Sequence, residues 1–224
     1  MLVGNWMTKD VISVDVSDSM QDAARLIRGH KIKRLPVMEN NKLVGIVTDR
    51  DLKTASASDV TTLEIHELLF LISEIKISDI MTKDPITIPL DYTIDEAAQI
   101  LLEHKLSGAP VVDDEGQVTG VITQTDIFRV LVLFTGVKKA GIQFAFQLED
   151  RPGSIKEVSD IMRNYGCLLV SILSGQDVQA GYRRVYIRIR DCDRERLEEL
   201  KEKLKAKANV LYVMDHAKRI SSTP

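Results

Sequence analysis

The sequence predicts a mixed chain, α/β in its first part and α+β in its last, on three observations. An internal repeat with an offset of 74 to 75 residues governs residues 1–135. Each copy reads β-α-β-β-α from its apolar periods and turn residues. After Phe134-Thr135-Gly136 the pattern changes, and residues 140–216 read β-α-β-β-α-β, the ferredoxin-like order.

The repeat is legible residue by residue. Met7-Thr8-Lys9-Asp10 returns as Met81-Thr82-Lys83-Asp84, Ala23-Ala24 as Ala97-Ala98, His30-Lys31 as His104-Lys105, and Pro36-Val37 as Pro110-Val111. One extra residue in the turn around Asp113–Gln117 then aligns Gly45 with Gly120, Thr48 with Thr123 and Asp51 with Asp126. A short extended segment (Ile12–Val14; Ile86–Ile88) opens each copy. Ser19-x-x-Asp22 and Thr93-x-x-Glu96 then cap a helix whose apolar residues recur every three or four positions. A strand beginning near Pro36 or Pro110, a turn and a second strand follow. Between the copies, Ile65–Ile72 reads as a helix, apolar over much of its circumference, that packs on the module or on a second subunit; His66 on it reads as a surface residue.

In the last part, Ile142–Leu148 alternates as a half-buried strand, and Glu149–Ser154 turns into a helix with Ile155, Val158, Ile161 and Met162 inward. Strands near Leu168–Leu173 and Val185–Ile189, a charged helix over Asp193–Lys207 and a strand Val210–Met214 complete it. The domain bounds are 1–76 for the first copy with its connecting helix, 77–135 for the second, 140–216 for the last domain, and 217–224 for a tail.

Bulk properties narrow the function. With 44% hydrophobic and 28% charged residues, the 224-residue chain has a globular composition. A net charge of -3 argues against a dedicated nucleic-acid surface. No apolar run approaches the roughly 18 residues of a membrane helix, and the N-terminus lacks a signal layout, so the expected location is the cytoplasm. Cys167 and Cys192 form no metal-ligand pattern and are expected as reduced thiols; no His/Cys/carboxylate cluster has metal-site spacing.

The chemistry concentrates at two strand-to-helix junctions. Both copies read Gly-apolar-apolar-Thr-x-x-Asp, at Gly45–Asp51 and Gly120–Asp126. A glycine permits close approach, a Thr hydroxyl with free helix amides holds an anion, and an Asp accepts two hydroxyl hydrogen bonds. A ribose phosphate asks for that set. The same four residues also make an ordinary capping box, and both readings stand on sequence.

These motifs, with the Met-Thr opening of each copy, resemble a tandem pair of cystathionine-β-synthase-type (CBS) domains over about the first 135 residues. The resemblance implies paired sheets with adenine nucleotides or adenosyl compounds bound between the copies as regulatory ligands, not catalytic cofactors. It implies Thr48 and Asp51 for one cleft and Thr123 and Asp126 for the other. Backbone around Pro36, Ala109 and Pro110, and residues after each Met, Thr8 and Thr82, would face the base. The copies differ in charge: Lys33, Arg34 and Arg50 lie near the first motif, whereas Ser107-Gly108 replaces Lys33-Arg34 in the second copy. Because phosphate favours cationic clefts, the expectation is a phosphorylated ligand at Thr48/Asp51, with the second cleft empty, weaker or host to a less charged adenosyl compound.

The turn Asp150-Arg151-Pro152-Gly153-Ser154 resembles that of ACT domains, which implies an amino-acid ligand on this backbone; Pro-Gly making only a turn is the competing reading. A CBS pair followed by an ACT module is similar to the acetoin-utilisation accessory proteins of B type. The function expected is a non-catalytic sensor, homodimeric, acting on an unidentified enzyme. The alternative is a structural subunit with empty clefts that scaffolds a partner. An enzyme is disfavoured because no phosphate loop, nucleophile set or metal cluster is legible.

Overall fold

The computed structural model describes residues 1–58, 74–139, 141–216 and 220–222. The expected helix Ile65–Ile72 and His66 lie outside them. The chain divides into two compact units, Met1–Ile127 and Phe128–Pro224, the boundary falling inside one helix.

In the first unit, a four-stranded sheet has the order β1 (Val14–Asp15), β2 (Arg34–Glu39), β3 (Lys42–Thr48), β4 (Thr82–Lys83), and a three-stranded sheet has β5 (Ile88–Pro89), β6 (Gly108–Val112), β7 (Val118–Thr123). The helices are α1 (Met20–His30), α2 (Asp49–Ser58), α3 (Ile77–Ile80), α4 (Ile94–Glu103) and α5 (Gln124–Phe134). The caps read from sequence are present: Ser19 Oγ accepts from the Asp22 amide at 3.1 Å, and Thr93 and Glu96 form a reciprocal capping box. Ala23 and Ala97 are fully buried at matching helix positions, where a small side chain lets helix and sheet approach closely.

Each copy is completed by the other's leading segment. β4, from the opening of the second copy, hydrogen-bonds to β3 of the first, and Ile77 is buried in the first copy's core with Leu35, Val37 and Val47. Reciprocally, Thr8 and Val121 exchange backbone hydrogen bonds of 3.0 and 2.9 Å, and the Val3 amide donates to Tyr92 O at 2.8 Å. A cut at residue 76 therefore follows the repeat in sequence but not the sheets in space.

The second unit is built on β8 (Ile142–Glu149), α6 (Ser154–Asn164), β9 (Leu168–Gln176), β10 (Tyr182–Arg190), α7 (Leu197–Lys207) and β11 (Asn209–Asp215). The order β11-β8-β10-β9 is antiparallel throughout, as β-α-β-β-α-β requires. Phe144, Phe146, Val185, Ile187 and Ile189 face Val158, Met162, Leu200 and Leu204 in one core. α7 begins at Leu197, four residues later than the charge pattern suggests, and the region read as a tail contributes β12 (Ile220–Ser222), paired with β11.

Cys167 and Cys192, expected as separate thiols, are disulfide-bonded, with Cα atoms 4.3 Å apart. Arg190 pairs with Leu168 at the end of the β9–β10 ladder, so the residues just beyond that pair meet. A spacing of 25 residues hides this until the hairpin register is known.

Among the described residues, no helix is long and apolar enough to cross a membrane, and no group of three or more His, Cys, Asp or Glu side chains gathers as a metal site.

Candidate functional site

Both Thr-x-x-Asp motifs sit where a strand ends and a helix begins. In the first copy, the Thr48 amide and hydroxyl donate to Asp51 Oδ2 at 2.8 and 2.7 Å. In the second, Thr123 repeats the pattern on Asp126 Oδ2 at 3.0 and 2.6 Å. The capping-box reading is thus realised twice. It holds each hydroxyl and carboxylate in one orientation at a helix start, which is also what a ligand-binding pair needs.

The glycines before the motifs make room for a side chain. A Cβ at Gly120 would lie 2.8 Å from Met7 Cγ, and one at Gly45 would lie 3.1 Å from Met81 Cγ. Each Met-Thr opening therefore packs on the glycine of the opposite copy. This explains why the Met and the Gly repeat together in sequence.

A cavity of about 360 Å³ opens at this junction, lined by Thr8, Asp10, Ile12, Lys31, Lys33 and Arg34 from the first copy and Ser107, Thr123, Gln124 and Thr125 from the second. Its volume is within the range of small-molecule sites. The cations expected to serve Thr48 and Asp51 thus line the cavity that carries Thr123. Lys33 and Arg34 reach this cavity because the start of β2 lies against the β7–α5 junction of the other copy. Sequence adjacency to a motif did not report which cleft a side chain enters.

Arg34 is also engaged. Its guanidinium donates to Gly108 O and, at 2.5 Å, to Ser107 Oγ. Gly108 is the repeat counterpart of Arg34, and a Cβ there would lie 2.9 Å from Arg34 Nη1. The replacement of Lys33-Arg34 by Ser107-Gly108 has a steric cause: one guanidinium fills the place of two side chains and ties the copies together. Burial pushes the Arg34 pKa below its ordinary value while Asp49 acts in the opposite sense. Lys33, which also lines the cavity, is exposed.

Other expected residues are dispersed. Pro36, Ala109 and Pro110 are buried in β2 and β6. Thr82 pairs with Ile46, on the side of Thr48, and Arg50 is exposed on the first turn of α2. Sequence reading missed Asp10 and Thr125. Thr125 is the repeat counterpart of Arg50, so the repeat itself held the signal. Lys31 ends α1 with φ 54°, as Lys105 does after α4, a left-handed conformation uncommon outside glycine. Lys31 lines the cavity.

In the second unit, Asp150, Arg151, Pro152, Gly153 and Ser154 are brought together with Lys156 and Arg183 around a cavity of about 400 Å³. Gly153 has φ 87° at the N-cap of α6, a position that favours glycine. The Arg151 guanidinium is spent on Glu149 at 2.7 Å and on Glu157 at 2.7 and 3.1 Å. Arg151, then Lys207, hold the Glu157 carboxyl down to about 2. Ser154 Oγ is buried with no hydrogen-bond partner among the described residues.

These features define a tandem α/β module whose copies complete each other's sheets around a polar cleft. The CBS domain family matches residues 3–58 and 77–133, and the chain belongs to that family as a tandem CBS pair. An inosine-5'-monophosphate dehydrogenase of Korarchaeum cryptofilum is 40% identical over 124 residues, 55% of this chain; the match spans only 23% of the dehydrogenase. CBSX2 from Arabidopsis thaliana, in its complex with AMP, is 30% identical with a TM-score of 0.50, over 61% of this chain and 98% of that one. The CBS domain pair of protein MJ0100, in complex with 5-methylthioadenosine and S-adenosyl-L-methionine, is 32% identical with a TM-score of 0.51, over 62% of this chain and 98% of that one.

Proposed function

We propose that the protein is a non-catalytic sensor that binds an adenine nucleotide or adenosyl compound in the cleft of its CBS pair. One observation carries this reading: the 360 Å³ cavity gathers Lys31 and Lys33 from one copy with Thr8, Thr123, Gln124 and Thr125. Cations suit a phosphate, and hydroxyl and amide groups suit a ribose or base. The AMP, methylthioadenosine and S-adenosylmethionine complexes of the similar pairs support the ligand class. A ligand touching both copies couples to their relative packing, since any difference in affinity between two arrangements shifts the equilibrium.

The second unit is proposed as an ACT-type module taking an amino acid at Asp150–Ser154. Its support is the adjoining 400 Å³ cavity with Arg183, Lys156 and the buried, unpartnered Ser154 hydroxyl. In such a site Arg183, paired with Asp150 at 3.4 Å, is the candidate carboxylate partner rather than Arg151, which two glutamates hold at 2.7 Å each. The domain order supports a role like that of acetoin-utilisation accessory proteins, in the cytoplasm where the nucleotide is, upon a partner enzyme. A structural role is the second reading. It is favoured by the exposed apolar run Phe128, Leu131, Leu133 and Phe134 on α5, which suits a homodimer interface.

The test is calorimetric titration of AMP, ADP, ATP, S-adenosylmethionine and GTP into the full chain and into Lys33→Gln and Asp126→Asn. Saturable binding of an adenine compound, weakened by both substitutions, supports the sensor. Binding of none of them at millimolar concentration, with folding intact, leaves the structural role.

A further inference from the structure

The opposite face of the second unit's sheet holds a charge that its surroundings do not balance. Along β10, Val185, Ile187 and Ile189 face the helices, so Arg188 points to the other side. That side should be solvated, yet Arg188 is only 4% exposed. The turn after α5 covers it: Arg188 Nε donates to Thr135 O at 2.9 Å, and Ser171 Oγ donates to the same carbonyl at 3.1 Å. Arg188 Nη2 donates to Gln143 Oε1 at 2.8 Å, and Gln143 in turn donates to Tyr212 Oη at 3.3 Å. Arg188 Nη1 is buried and has no hydrogen-bond partner among the described residues.

No Asp or Glu among the described residues forms an ion pair with Arg188; its two acceptors are neutral oxygens. A guanidinium does not deprotonate in a protein, and a buried charge is costly until paired. Burial pushes the Arg188 pKa below its ordinary value. Burial, then the Arg188 charge, push the His216 pKa down, which favours its neutral form beside the guanidinium. Beside Arg188 lies a cavity of about 250 Å³, roughly eight waters at ~30 Å³ each, walled by Leu131, Val132, Leu173 and Tyr186. Its lining combines Leu131, Val132, Val137 and Leu173 with the neutral polar Thr135, Gln143, Ser171 and Tyr186, and holds one cation and no acidic side chain.

We infer that this cavity is a binding site for a small aliphatic carboxylate, whose carboxylate pairs with Arg188 and whose short apolar body lies against Leu131, Val132 and Leu173. With Nε on Thr135 O and one Nη2 hydrogen on Gln143 Oε1, the unbalanced charge of the guanidinium still suits a carboxylate, and the leucine and valine walls suit a branched chain of a few carbons. The lining offers no carboxylate to pair with the ammonium group of an α-amino acid, so a plain carboxylate is the better match. The site is separate from the Asp150–Ser154 cavity, with which it shares no lining residue.

The test uses the full chain and calorimetric titration with sodium propionate, butyrate and isobutyrate, against isobutyramide, L-valine and sodium chloride at matched ionic strength. At least one carboxylate binds saturably, and the amide, valine and chloride do not. Arg188→Met weakens that carboxylate ~10-fold or more, as loss of a charge-assisted pair requires. Leu173→Trp, at a 41% exposed position that tolerates a larger side chain, fills the chamber and weakens it equally with Arg188 intact. The proposal is overturned by the absence of carboxylate binding, by chloride or isobutyramide competing equally, or by unchanged affinity in Leu173→Trp. Should Arg188→Met not fold, Leu173→Trp alone decides.

Discussion

Gly108 is where a single methyl group should do the most damage in the first unit. A Cβ there would stand 2.6 Å from Ile122 O and 2.9 and 3.0 Å from Arg34 Nη1 and Cζ. Real Cβ contacts essentially never fall below 3.0 Å, so something must move. One obstacle is backbone on the paired strand β7, which no rotamer change relieves; the other is the guanidinium that ties the copies. Overpacking costs about 1–3 kcal/mol, and weakening the Arg34 bonds adds about 1 kcal/mol. Gly108→Ala should therefore lose about 3 kcal/mol, lowering Tm by roughly 6–12 °C at ~2–4 °C per kcal/mol for a chain of this size. Calorimetry of the ligand-free chain measures it. Gly29→Ala is the control: its Cβ meets nothing within 4 Å on helix α1, so it should be neutral or stabilising by up to ~1 kcal/mol. In the double variant Arg34→Met/Gly108→Ala the two losses should be less than additive, because they share a contact. A Tm for Gly108→Ala within ~1 °C of wild type would refute the steric argument and, with it, the account of why the copies differ here.

Three further outcomes are expected. Asp126→Ala removes the acceptor of both Thr123 donors and should cost about 1–2 kcal/mol in urea unfolding, whereas Asp126→Asn, which keeps an acceptor oxygen, should cost less. Phe144→Ala empties a fully buried position stacked against Phe146 and should cost about 3–5 kcal/mol in the second unit, with nucleotide affinity unchanged. Glu157 has a folded pKa depressed to about 2 from 4.5, so the stability it contributes is present above pH 4.5 and is lost as pH falls toward 2. Glu157→Gln should lower stability above pH 4.5, where that contribution is present, and flatten the profile between pH 4.5 and 2, as read from urea midpoints.

Much of this protein is written in local sequence. Alternating Ile142, Phe144, Phe146 and Leu148, the Ser19 and Thr93 caps, and the turn at Gly153 are near-neighbour effects, which periodicity and capping chemistry report directly. The repeat, with its one-residue slip in a turn, specifies two like units by sequence alone. Tertiary structure decided whatever depends on which copy touches which. Met7 packs on Gly120 rather than on Gly45, β4 joins the first sheet, and Lys33 and Arg34 enter the cavity of Thr123. It also decided that Cys167 meets Cys192 and that Arg188, one alternating residue among several arginines on β10, is buried. The reason is common to all of these. A strand's period says which residues share a face, but not what lies across from that face, and only the packed chain brings distant segments to it.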